Sequence, residues 1–221
     1  MSQSCSRYAK HLLPPSETRK VEGIYHTVQK KETLFRICKT YNASLQEVAE
    51  LNNIKSTSQI KIGDRIFIPG AKKVLQVSLS DSEKDKTSSS KIIKNTGMFI
   101  WPVNGRIIEE YGIYGGLKHD GINIESSAGT PVKAANDGNV VFSANLEGYG
   151  HTIIIQHKDN YATVYANNKV NVVKQGDTVK QGHKIAEVGV SNKNKSQAYL
   201  HFQIRNENQP RNPMFYLPHG T

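Results

Sequence analysis

The sequence predicts two folds in succession: an α+β unit of strand–helix–helix–strand order over residues 24–70, then an all-β domain with an antiparallel sheet core over residues 97–221. Three observations carry this. Leu34, Ile37, Cys38 and Tyr41 fall at i, i+3, i+4 and i+7, the apolar stripe of a helix. From Gly97 onward, short runs rich in Val, Ile and Tyr alternate with a period of two and are separated by Gly and Asn/Asp pairs. Between the two spans, residues 71–96 place Ser78, Ser80, Ser82 and Ser88-Ser89-Ser90 among mixed charges, the composition of a flexible linker.

Residues 1–23 hold Pro14-Pro15 and no sustained periodicity, and read as a disordered leader. Ile24 to Gln29 alternates as a strand. Ser44 opens a second helix, with Glu47 three residues on completing a Ser-x-x-Glu capping box. Leu45, Val48, Ala49 and Leu51 give that helix its apolar face, and Asn52-Asn53 stops it. The turn Lys61-Ile62-Gly63-Asp64 leads into a strand from Arg65 to Pro69. Val74 to Leu79 is long enough only for a transient strand. Strands of the second domain are expected at Gly105 to Glu109, Gly121 to Ile124, Asn139 to Phe142, His151 to His157, Tyr161 to Ala166, Lys184 to Val188 and Tyr199 to Arg205. Asp159-Asn160 is a hairpin turn by its residue types. Leu117 to Asn123 reads as one short strand with His119, Gly121 and Asn123 on one face and Asp120 on the other. In Tyr199 to Arg205, Leu200, Phe202 and Ile204 share the apolar face, opposite Tyr199, His201 and Gln203.

Hydrophobic residues make up 37% of the 221-residue chain, low for a single core, and no apolar run reaches the length of a membrane-spanning helix. The net charge of +10 is spread as +2, +3, +3 and +2 over residues 1–23, 24–71, 72–96 and 97–221. A nucleic-acid binder gathers its charge on one helix or stripe, so no nucleic-acid partner is expected. Diffuse positive charge suits an anionic cell wall or membrane surface. Cys38 falls within the first helix pattern and is expected to be a buried small apolar residue. Cys5 is either the lipid-modified cysteine of an exported lipoprotein or a free cysteine in a disordered start. The two cysteines give neither a zinc-finger nor a disulfide-framework spacing.

Tyr25-His26-Thr27-Val28, Glu32-Thr33-Leu34, Leu51-Asn52-Asn53, Ile60 to Asp64 and Ile66 to Pro69 stand in the order and spacing of a LysM domain, which this segment closely resembles. The resemblance implies binding to N-acetylglucosamine-containing glycans, in bacteria peptidoglycan. It places the sugar groove on the loops around Glu32, Thr33 and Leu34 and around Ile60, Lys61 and Gly63. The alternative is that Leu34 and Ile60 are simply core.

A histidine and a carboxylate on one strand face would make two arms of a metal site. Here the carboxylate position holds the amide of Asn123. The span from about Phe99 to Pro218 resembles the LytM/lysostaphin-type zinc endopeptidases, through Trp101-Pro102, His119-x-Gly121-Ile122, Gly129 to Val132, Asp137-Gly138, Gly148-Tyr149-Gly150, Leu200-His201-Phe202 and Asn212-Pro213. That resemblance implies a zinc site at His119, Asn123 and His201, and two further catalytic histidines at the positions of Asn167 and Tyr199. This sequence keeps histidine only at His119 and His201. A neutral amide is not among the usual zinc ligands, and without a metal no bound water is brought to a pKa near 7. General acid–base help worth roughly 10²–10⁴-fold is lost with the other two histidines. No cofactor is therefore expected; zinc belongs to the alternative reading of an active peptidoglycan endopeptidase. Asn123→Asp alone is expected to restore some metal affinity and no activity. A carrier-type barrel around Val173 to Val188 is disfavoured because no Met-Lys pair is present.

A LysM domain, a linker and a degenerate LytM domain together resemble the NlpD and EnvC family of murein hydrolase activators. The resemblance implies an exported, non-catalytic protein of the envelope or periplasm, anchored through Cys5 if that residue is lipidated. It implies a vacant groove that engages an N-acetylmuramoyl-L-alanine amidase during cell-wall remodelling or division. The partner groove is then expected at His119, Asn123, Tyr149, Asn167, Tyr199 and His201, with an uncharged floor.

Overall fold

The computed structural model describes residues 19–78, 92, 94–191 and 196–218. In chain order the elements are β1 (Arg19–Lys20), β2 (Gly23–Thr27), α1 (Leu34–Thr40), α2 (Leu45–Leu51), β3 (Arg65–Pro69), β4 (Arg106–Glu109), β5 (Gly112–Tyr114), β6 (Leu117–His119), β7 (Ile122–Glu125), β8 (Pro131–Lys133), β9 (Gly138–Leu146), β10 (Gly150–Gln156), β11 (Tyr161–Asn171), β12 (Thr178–Val179), β13 (Lys184–Val190), β14 (Ala198–Asn206) and β15 (Gln209–Arg211). They fall into two units. One comprises Arg19–Lys94 with Gly112–Lys118; the other comprises Asn95–Tyr111 with His119 onward.

In the first unit β2 and β3 pair antiparallel and α1 and α2 connect them. Thr33 caps α1 by accepting from the Arg36 amide, and Ser44 caps α2 by accepting from the Glu47 amide. Leu34, Ile37, Cys38, Val48, Ala49, Ile66 and Ile68 form the core. Asn52 does more than stop α2. Its Oδ1 accepts from the Phe67 amide at 2.7 Å, while its Nδ2 donates to the Val48 and Phe67 carbonyls. Burial pushes the Cys38 thiol up to about 12, so it is an inert apolar filler. The Tyr41 hydroxyl accepts from the Leu75 amide at 2.8 Å, Val77 is buried, and Ile92 packs on the same core. Parts of the span expected to be linker thus lie on this unit. Val74 to Ser78 forms no strand, and Leu79 lies outside the described residues. Arg19–Lys20, within the expected leader, pairs with Leu117 and Lys118 of β6. Cys5 and Pro14-Pro15 lie outside the described residues.

The second unit is a long antiparallel sheet in the order β12-β9-β10-β11-β13-β14-β7-β4, with β8 on β13 and β15 on β14. Asp159 and Asn160 have φ of 54° and 60° in the tight turn joining β10 to β11, the backbone their residue types favour. Along β11, residues 161–166 pair with β14 and residues 168–171 pair with β13, so the strand changes partner at Asn167. Ile122, Ile124, Leu200, Phe202, Ile204 and Tyr165 are buried, and the Tyr165 and Phe202 rings lie 5.4 Å apart.

Leu117 to Asn123 is not one strand. It breaks at Asp120-Gly121, with β6 joining the small sheet of β1 and β5 and β7 joining the large one. Gly121 passes so near β14 that a Cβ there would stand 2.4 Å from the Phe202 carbonyl oxygen. That approach is a tertiary constraint, which alternation along the sequence does not reveal.

Candidate functional site

The expected glycan residues divide by exposure. Thr33, Lys61 and Gly63 are exposed, Ile60 is half-buried, and Leu34 is fully buried in the core. The Glu32 carboxylate is turned inward. It accepts from the Gln29 amide at 2.7 Å and meets His26 Nε2 at 2.8 Å, and His26 Nδ1 meets the Tyr41 hydroxyl at 3.0 Å. Ile62, within the expected groove loop, is 68% exposed at the tip of the Lys61–Asp64 turn.

In the second unit the positions implied by the zinc-peptidase resemblance do converge. Register sets His201 opposite Asn123 and Asn123 opposite Glu109, so the three are successive cross-strand neighbours on one face. Glu109 reaches that face because the β4–β7 register shifts between Ile107 and Glu109. Its carboxylate accepts from Asn123 Nδ2 at 2.6 Å and stands 3.7 Å from His119 Nε2. Asn123 Oδ1 meets His201 Nδ1 at 2.7 Å. Along β14, Gln203 Nε2 meets His201 Nε2 at 2.9 Å, and Gln203 Oε1 accepts from Arg205 Nη1 at 2.8 Å. His119 donates through Nδ1 to the Glu110 carbonyl at 2.7 Å, and its ring centroid is 5.3 Å from that of His201. The Tyr149 ring lies 5.7 Å from that of His201, and burial raises its phenol pKa.

Glu109, Gln203 and Arg205 were not among the expected site residues. Gln203 and Arg205 are buried although they stand on the face opposite Leu200 and Phe202. The floor is not uncharged as expected: Glu109 supplies a half-exposed carboxylate. Asn167, at the position of a catalytic histidine, has φ of 59°, a backbone that asparagine tolerates better than most residues. Its Nδ2 donates to the Tyr199 carbonyl at 2.7 Å and the Gly189 carbonyl at 3.3 Å. The side chain therefore stitches three strands together rather than facing a reactant. Among the described residues no cluster of three His, Cys, Asp or Glu side chains is arranged to hold a metal.

Two histidines, the buried His157 and the half-buried His201, give this unit a pH dependence. Burial lowers the His157 pKa; burial and then the neighbouring His119 push that of His201 down to about 3. An unfolded histidine titrates near 6.5, so below that pH the unfolded chain binds protons that the folded one refuses. The histidines' contribution is whole above about pH 6.5 and is lost as pH falls toward 3. Acidification from pH 7.5 to 5 is expected to remove on the order of 2 kcal/mol through His201 alone. Thermal unfolding of the protein across that range checks this. A midpoint unchanged down to pH 5 would contradict it.

Residues 117–213 match peptidase family M23, and residues 26–69 match the LysM domain. The chain is 33% identical over 216 residues to the uncharacterized lipoprotein YgeR of Escherichia coli (strain K12), a match covering 92% of this chain and 84% of YgeR. It is 43% identical over 120 residues to the murein hydrolase activator NlpD of the same organism, covering 53% of this chain and 31% of NlpD. The match thus spans about a third of NlpD. Among solved structures, Csd3 of Helicobacter pylori matches with 20% identity and a TM-score of 0.50, over 92% of this chain and 62% of its own, a likeness of fold alone.

Proposed function

The chain belongs to the NlpD-like family of LysM and peptidase M23 proteins, and we propose that it is a non-catalytic envelope protein that holds peptidoglycan and activates a murein hydrolase. The observation that carries the non-catalytic reading is the hydrogen-bonded row at the former metal position. Asn123 spends its amide on Glu109 and His201, and Asn167 spends its own on two backbone carbonyls. Tyr199, the other changed position, is a poor general base at neutral pH, since a phenol titrates near 10. The partner is an N-acetylmuramoyl-L-alanine amidase in this reading, supported by the naming of NlpD as a murein hydrolase activator. The half-buried groove residues His119, Tyr149, Tyr199 and His201 form the surface it meets, while the buried Asn123 and the backbone-bonded Asn167 shape that groove from within.

The test is amidase turnover of dye-labelled sacculi with and without the full chain. Stimulation of an amidase by a chain that releases no dye alone is expected. Release of dye by the chain itself, dependent on zinc, would favour the endopeptidase instead.

Glycan binding is assigned to the first unit. Thr33, Lys61 and Gly63 offer polar and backbone groups, and Ile62 offers an apolar face for a sugar ring. Ile62→Asp is expected to weaken pelleting with sacculi about tenfold, a loss of roughly 1.4 kcal/mol from a contact that burial no longer favours. Because Ile62 is exposed, the fold should survive, as circular dichroism would verify. Unchanged pelleting by that variant would move the glycan site off this turn.

Cys5 is the proposed lipid anchor, in keeping with the lipoprotein name of YgeR. Cys5→Ser should shift the exported protein from the membrane to the soluble periplasmic fraction. Retention in the membrane fraction would remove the anchor.

A further inference from the structure

We propose that Gln203, held by Arg205, fixes His201 in the ring tautomer that cannot ligate a metal through Nδ1, and so closes the former metal position independently of Asn123.

One row of hydrogen bonds constrains the His201 ring from both ends. Arg205 has donors only, so the Gln203 atom facing it is Oε1. The Gln203 amide nitrogen therefore faces His201 and donates to Nε2, which must present its lone pair. At the other end Glu109 is a carboxylate and accepts only, so Asn123 turns Nδ2 toward it. Asn123 Oδ1 then faces His201 Nδ1, and an oxygen without a proton requires that Nδ1 carry the hydrogen. The two ends lead separately to the same tautomer, proton on Nδ1 and lone pair on Nε2. The lone pair is aimed at Gln203, away from Asn123 and the metal position.

His119 is the contrast. The Glu110 carbonyl takes its Nδ1 proton, which leaves the Nε2 lone pair on the side of Glu109. One histidine of the pair stands ready as a ligand and the other does not. The residues present thus do not fit zinc, and the misfit reaches beyond the amide at position 123.

This revises the expectation for Asn123→Asp. A carboxylate there would accept the same Nδ1 proton from His201 while Gln203 continued to donate to Nε2. The histidine and the new aspartate would satisfy each other. Gln203→Glu would instead accept a proton on Nε2 and turn the Nδ1 lone pair toward position 123. Gln203 is thus a positioning residue, acting through His201. Groups that orient a metal-ligating histidine are worth about 10- to 100-fold in metal affinity.

The inference deepens the non-catalytic reading and is separable from it. In the unaltered full chain, nitrogen-15 NMR of the histidine rings should show His201 protonated on Nδ1. A His201 protonated on Nε2 overturns the inference, even in a protein that binds no zinc and still activates an amidase. Zinc titration then compares Asn123→Asp with Asn123→Asp plus Gln203→Glu. The double variant should bind zinc at least tenfold more tightly than the single one. Equal affinities in folded proteins overturn the inference. If the double variant does not fold, the ring NMR of the unaltered chain decides alone.

Discussion

Gly121→Ala is expected to cost about 3 kcal/mol or more, enough to lower the unfolding midpoint of the M23 domain by several degrees. The added Cβ would stand 2.4 Å from the Phe202 carbonyl oxygen, 2.9 Å from Gln203 Cγ and 3.1 Å from His201 Cε1. The Gln203 contact could yield by a change of side-chain torsion. The Phe202 oxygen cannot yield cheaply, because β14 is paired with β7 on one side and β11 on the other, and Phe202 is fully buried. Relief would require β7 to lift from β14, uncovering Ile122 and Ile124. The same shift would break the Asn123–His201 hydrogen bond. Thermal unfolding followed by circular dichroism measures the loss. A midpoint within a degree of the unaltered protein would show that the approach of β7 to β14 is looser than these distances describe.

Tyr149→Ala combined with Tyr199→Ala is expected to weaken amidase activation by at least 30-fold in the concentration needed for half stimulation. Tyr149 sits against His201, and Tyr199 lies two residues before it on the same strand face. Both are half-buried, which leaves ring surface for a partner to cover. Aromatic residues at the centre of an interface commonly cost about 2 kcal/mol or more on truncation, and 1.4 kcal/mol is a tenfold change in affinity. A partner is switched on only when the groove prefers its active conformation, so lost affinity for that conformation appears as lost activation. The assay is turnover of labelled sacculi over a range of activator concentrations, with circular dichroism confirming the variant's fold. Undiminished stimulation by a folded double variant would place the activating surface elsewhere on the protein.

Much of the fold was legible because it is local. The stripe of Leu34, Ile37 and Cys38, the cap Ser44, and the Asp159-Asn160 turn each rest on residues within one or two turns of chain. Periodicity also separated Leu200, Phe202 and Ile204 from the face of His201. The site was legible only as a set of positions. His119, Asn123 and His201 were brought together, yet Leu34, placed on the glycan groove by its motif, is wholly core. Glu32 does lie in the expected loop, but its carboxylate turns inward onto His26 instead of facing the groove.

What the sequence determined by itself was residue chemistry: an amide where a carboxylate would hold zinc, an asparagine and a tyrosine where histidines would move protons, and two hydrophobic patterns of different period. What only the tertiary structure decided was which atoms those residues face. Strand alternation assigns a side chain to a face but not to a neighbour, because the neighbour depends on register. One shift between Ile107 and Glu109 brings a carboxylate opposite Asn123. That carboxylate accepts from Asn123, as Gln203 accepts from Arg205 at the other end of the row, and between them the proton of His201 is set on Nδ1. Hydrogen-bond direction is fixed by the groups at the ends of a row, and those ends lie on different strands.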